Sequence, residues 1–284
     1  MIISTKAEFF KMARRSSTWV SIAALALLPL LLGLVMRSSL VETNAPPGTE
    51  VTPSSGYSLM ILTMSTAMAF FAPLVASFIS AELMAKELKD GTAKLFLIRP
   101  VSRIEFLLSK CLACLAHNIL LMAALWLAAL LVGGVLFHYG STDASMSAFI
   151  NISSPSGETS AVNQVNMSGT MSQTGAFLRL AASYGYLALS LFVVGLMTLL
   201  LSTVITNTAG VVVITLGAIL GMNYLKNIHG ISRYILSSHL MSGSLLAGDI
   251  DWGTLGFSLG ILALYAVVFV LAAILIFYRK DLHT

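Results

Sequence analysis

Residues 82–110 read ELMAKELKDGTAKLFLIRPVSRIEFLLSK, a charged and punctuated stretch set between two long apolar runs. Its first part, 82–89, carries helical spacing out of the preceding run, with Leu83 and Leu88 among Glu82, Lys86, Glu87 and Lys89. Asp90-Gly91 ends that helix, because glycine accepts the left-handed conformation a helix C-terminus commonly needs. Thr92 to Ile98 is short and mostly apolar, with one cation, Lys94. Arg99-Pro100 closes it, since the residue before a proline is pushed out of the α region. Ser102-Arg103-Ile104-Glu105 has the form of a capping box, so a new helix starts at Arg103 and runs into the next apolar segment. A plain solvated loop has no need of Leu95, Phe96, Leu97 and Ile98 together. They must meet lipid headgroups, their own protein or a partner.

Outward from this stretch the chain is built for lipid. Of its 284 residues 57% are hydrophobic and only 10% charged, against roughly 25% charged in a soluble domain. Apolar runs at 18–36, 57–81, 107–137, 176–204, 209–224 and 252–278 predict six membrane-spanning helices, hence an all-α integral membrane protein forming a single transmembrane domain over 1–284. The first run contains Pro29. The second carries Met60, Met64 and Met68 one turn apart, a stripe that reads as packing or as a candidate translocation path for apolar cargo. In the third, His117-Asn118 reads as interhelical glue. Cys111 and Cys114 have no second pair to complete a zinc site and read as small packing residues. The fifth run, 16 residues, is slightly short for a crossing.

Between the spans, residues 138–175 are rich in Ser, Thr, Asn and Gly and lack Lys and Arg, which predicts a poorly ordered external loop. Residues 225–251 mix Ile235, Leu236 and Leu240 with Lys226, Arg233 and His239, too polar to span and too apolar for a solvated loop. They read as external or re-entrant. At the other end of the chain, residues 1–16 predict an interfacial helix opened by a second capping pattern, Thr5-Lys6-Ala7-Glu8. On its wheel Ile2, Phe9, Phe10, Met12 and Ala13 share one side, with Glu8, Lys11, Arg14 and Arg15 on the other. It reads as a retained anchor rather than a signal peptide, for want of a small-residue cleavage site.

Orientation comes from the cations. Placing both termini and residues 82–106 in the cytoplasm puts twelve of the sixteen Lys and Arg inside, leaving Arg37, Arg179, Lys226 and Arg233 outside. The net charge of +4 is therefore a membrane signal and not one for nucleic acid. No GxxxxGK[ST] phosphate loop is present, so ATP hydrolysis by this chain is not expected. No HExxH pattern and no nucleophile context for His117 support a protease. An ion-coupled secondary transporter would carry an ionisable group in mid-membrane, and the span interiors offer none. That reading, and a multi-span membrane scaffold without transport activity, stand as the alternatives to a permease driven from its cytoplasmic surface.

One resemblance bears on the choice. Gly91-Thr92 after an acidic residue, the large aliphatics beyond them, and Arg99-Pro100-Val101-Ser102-Arg103 resemble the signature of the ABC type-2 exporter permeases, and the six-span layout extends the likeness over the chain. The resemblance implies a permease subunit of an ABC exporter, at the cell membrane with several passes, paired with a second or homologous permease copy. It implies a separate ATP-binding cassette ATPase subunit that would hold ATP and magnesium, with no cofactor, metal or catalytic residue in this chain. Residues 82–106 would then contain the coupling helix, with Glu87, Gly91, Thr92, Leu95, Phe96, Arg99 and Arg103 meeting the ATPase.

Overall fold

The computed structural model describes residues 2–42, 55–89, 102–137, 139, 146–147, 151–153, 159–161, 166–167, 173–225, 233–240 and 251–279. Among the described residues six helices are long and apolar enough to cross a membrane: Ser16–Arg37, Gly56–Lys89, Ile104–Leu136, Thr174–Val204, Thr208–Leu225 and Trp252–Arg279. The helical, six-span class expected from the sequence is the one observed.

Local chemistry accounts for the ends and breaks of these helices. Ser102 caps the third span by accepting from the Glu105 backbone N–H at 3.2 Å, Ser55 caps the second by accepting from Ser58 N–H at 3.3 Å, and Asp251 caps the sixth by accepting from Gly253 N–H at 3.0 Å. In the first span the helix is interrupted at Leu27, between Ser16–Ala26 and Leu28–Glu42. Pro29 explains this, because it has no N–H for the carbonyl four residues back and its ring crowds that carbonyl. Pro73 acts similarly in the second span, where a π-turn at Ala67–Phe71 lies immediately before it. A second π-turn, Glu82–Lys86, precedes the last turn of that helix. Each π-turn carries one extra residue and so rotates the helix beyond it. At about 1.5 Å per residue the second helix is roughly 50 Å long, more than a hydrocarbon core of about 30 Å, so its charged end extends past the lipid.

The fourth span is the hub, packed against the second, third and sixth. Its Tyr184 hydroxyl donates to the Met60 carbonyl at 2.9 Å. Gly195 lets it approach the second and third spans closely: a Cβ there would lie 2.4 Å from Cys114 Sγ and 2.8 Å from Ser80 Oγ. At the far end of the bundle Tyr57, Tyr139 and Phe177 pack ring to ring, with Tyr57 and Tyr139 centroids 5.0 Å apart.

Two connections carry short elements of their own. Within 138–175, Met146–Ser147 pairs antiparallel with Asn166–Met167, and Asn151–Ser153 with Thr159–Ala161. Pairings of two and three residues leave no periodicity in a sequence, and the Pro155 and Gly157 between the inner pair are turn formers. Between the fifth and sixth spans, Leu236–Leu240 forms a short helix whose Leu236 and Leu240 join the same buried cluster as Met64 and Met68. Tyr186 donates to the His239 carbonyl at 3.0 Å. The His239 ring bonds Ser258 Oγ at 3.0 Å and the Arg233 carbonyl at 2.9 Å.

Candidate functional site

The N-terminal helix Ile2–Arg14 packs its polar side against the rest of the chain. Phe9 and Phe10 are exposed, at 38% and 60%, while Glu8 is 1% exposed. The Thr5–Glu8 capping pattern does not open this helix, which begins at Ile2. Glu8 is engaged elsewhere: its carboxylate lies 3.2 Å from Lys11 Nζ and, through its other oxygen, 3.2 Å from Lys110 Nζ.

Lys110 is the centre of this junction. Its side chain is wholly buried on the third span, one turn past Phe106, whose ring lies 4.8 Å from the ammonium. From there it reaches Glu87 Oε2 at 2.7 Å. Glu87 also receives Lys11 at 3.1 Å and Arg15 at 3.7 Å. Two carboxylates and three cations from the N-terminal helix, the link into the first span, the end of the second span and the start of the third thus share one cluster. A neighbouring tie runs from the Ser17 hydroxyl to Glu82 Oε2 at 2.6 Å. Isolated charges could not be withdrawn from water at this cost, and only mutual pairing makes their burial tolerable.

The residues expected to meet an ATPase do not share one setting. Glu87, 5% exposed, sits inside the junction. Arg103 is the first residue of the third helix, directly after the Ser102 cap. Gly91, Thr92, Leu95, Phe96 and Arg99 fall outside the described residues, in the segment that joins Lys89 to Ser102. The junction therefore flanks both ends of that segment.

Glu8, Lys11, Arg15 and Lys110 are site residues that the sequence reading missed. A signal for Lys110 existed: Phe106, Lys110, Ala113, Cys114 and His117 recur at helical spacing, and all are buried. The methionine stripe is interior, with Met60, Met64 and Met68 at 0%, 3% and 5% exposure within the single chain. Among the described residues His117-Asn118 makes no hydrogen bond to another helix. Asn118 donates within its own helix, to the Cys114 carbonyl at 3.0 Å, and His117 has no hydrogen-bond partner among the described residues.

A cleft of 580 Å³ lies beside the junction, lined by Phe78, Glu82, Lys86 and Lys89 of the second span and by Asn207 and Thr208 where the fifth begins. The fifth span buries only Val211, Thr215 and Ile219, a single stripe at four-residue spacing, and exposes Val213 and Tyr224 at 68% and 79%.

Six long apolar helices, with charges gathered at their ends, define a multi-pass membrane protein. The family model described as ABC-2 family transporter protein matches residues 4–157, which include most of the N-terminal helix, the first three spans and the whole junction, and the chain belongs to this family. It is also similar to the uncharacterized protein YhcI of Bacillus subtilis (strain 168), with 27% identity over 266 residues covering 85% of this chain and 73% of that protein. The chain is accordingly an ABC-type permease subunit, the non-catalytic membrane part of a transporter.

Proposed function

We propose that this permease is an exporter subunit that works at the cell membrane as a pair of permease copies, driven by separate ATP-binding cassette ATPase subunits holding ATP and magnesium. Both termini and residues 82–106 face the cytoplasm in this reading, as the positive-inside distribution supports. The coupling contact is made by Gly91, Thr92, Leu95, Phe96, Arg99 and Arg103, while Glu87 acts from within the junction. The observation that carries the reading is the junction itself. The sequence that joins Lys89 to Ser102 carries Leu95, Phe96 and Arg99, and the helices on both sides of it are tied by a buried ion pair at 2.7 Å through Lys110, which also holds the N-terminal helix at 3.2 Å. A push on that segment has a rigid body to act on.

The translocation path in this reading lies where two copies face each other along the second and fifth spans. The sparse burial of the fifth span supports a surface kept for a second copy or for lipid. Met60, Met64 and Met68 are interior to one copy and serve the packing behind that path. The exposed Phe9, Phe10 and Trp19 support an N-terminal helix lying against the cytoplasmic leaflet.

The test is a Leu95→Ala, Phe96→Ala, Arg99→Glu triple variant. Each apolar truncation is expected to weaken ATPase docking by about 1–3 kcal/mol, and the charge reversal opposes an acidic groove. ATPase co-purification with the tagged permease and transport in cells should fall together while insertion and permease pairing persist. A triple variant with its full complement of ATPase and undiminished transport would remove residues 82–106 from the coupling role.

A further inference from the structure

We propose that Lys110 is a positioning residue for the coupling movement, its buried ammonium locking the N-terminal helix to the ends of the second and third spans so that the three move as one body. The inference rests on the coupling reading above. Lys110 belongs to the third span, Glu8 to the N-terminal helix and Glu87 to the second span, and one ammonium serves both carboxylates, at 3.2 and 2.7 Å. All three side chains are nearly or wholly withdrawn from solvent. Sliding any one of these elements away strands an unpaired charge in an apolar setting, so the elements separate only at high cost. Lys11 closes the cluster from its rim by reaching both carboxylates, at 3.2 and 3.1 Å. The Ser17–Glu82 bond extends the tie to the start of the first span. Movement imposed at residues 90–101 is thereby delivered to the N-terminal helix, and not only to the two spans that flank the segment.

Two readouts separate a positioning role from simple support. In a background with Cys111 and Cys114 replaced by alanine, Met12→Cys reports docking of the N-terminal helix, because Met12 is 7% exposed. Maleimide should leave it unmodified with Lys110 present, modify it readily in Lys110→Met, and again leave it unmodified in the charge-balanced double variant Lys110→Met/Glu8→Gln. The second readout is the distance between spin labels at Phe10→Cys and Val204→Cys in the assembled complex, with and without ATP and vanadate. The ATP-driven shift in population should fall roughly fivefold or more in both variants, the lower end of what one coupling interaction carries. It should fall in the double variant even though docking has recovered, because Glu87 has lost its link to the third span.

Recovery of the ATP-driven shift together with docking in the double variant would reduce Lys110 to structural support and overturn the proposal. Protection of Met12→Cys in Lys110→Met would show that there is no lock. Identical ATP-driven shifts in all forms would overturn the lock and leave the coupling reading intact. A complex with wild-type Lys110 that carries no ATPase would overturn both.

Discussion

Lys110 Nζ lies 2.7 Å from Glu87 Oε2, an ion pair between the first turns of the third span and the last turn of the second with both side chains hidden from solvent. Removing one member of a buried pair leaves the other charged and unsolvated, at a cost of about 3–5 kcal/mol. Lys110→Ala is therefore expected to destabilise the permease by that amount in thermal unfolding in nanodiscs. Lys86 makes the contrast, since its 3.8 Å pair with Glu82 is half exposed. Lys86→Ala should cost less than about 1 kcal/mol, and equal effects of the two substitutions would contradict the burial of the junction.

Gly195 predicts a steric cost of a different origin. A methyl group there would overlap Cys114 Sγ and Ser80 Oγ. Gly195→Ala should destabilise by about 1–3 kcal/mol through overpacking. Cys114→Ala added to it should recover part of the loss, because the nearer of the two clashing atoms is gone. Absence of any recovery in a thermal unfolding series would mean that the fourth span does not approach the third at this point.

The short helix Leu236–Leu240 should depend on the fourth span. Tyr186→Phe deletes the hydrogen bond to the His239 carbonyl and is expected to cost about 0.5–1.5 kcal/mol. The loss should appear locally, as faster hydrogen exchange at Leu236–Leu240, while the third span exchanges as before. Uniform acceleration over both regions would show that Tyr186 supports the bundle as a whole.

Orientation has a direct measurement. Single cysteines at Ser55, Ser160 and Ser244, in a background lacking Cys111 and Cys114, should react with an impermeant maleimide added to intact cells, and a cysteine at Ala93 should not. Reaction at position 93 with protection at 160 would invert the topology drawn from the cations.

Much of the fold could be read along the chain, because spanning lipid demands long apolar runs and helix breaks demand particular residues. The six spans came from run length, and the start of the third from Ser102 with Glu105 three residues on. What periodicity could not decide was which face turned inward. In water an apolar stripe marks the core, but lipid is as apolar as the interior, so Phe9 and Phe10 could face outward while Glu8 turned in. The methionine stripe carried the same ambiguity, and only packing against the first, third and fourth spans made it interior.

The charges show the division most clearly. The sequence alone determined how many cations this protein carries, that most of them sit beside span ends, and that residues 82–110 are punctuated as two helix ends around an apolar knob. That Lys110 is wholly buried, and that Glu8, 102 residues away, is one of its partners, was decided by tertiary structure alone. A buried charge is tolerable only where its counter-charge arrives in three dimensions, and the distance that determines its energy is one that sequence separation does not contain.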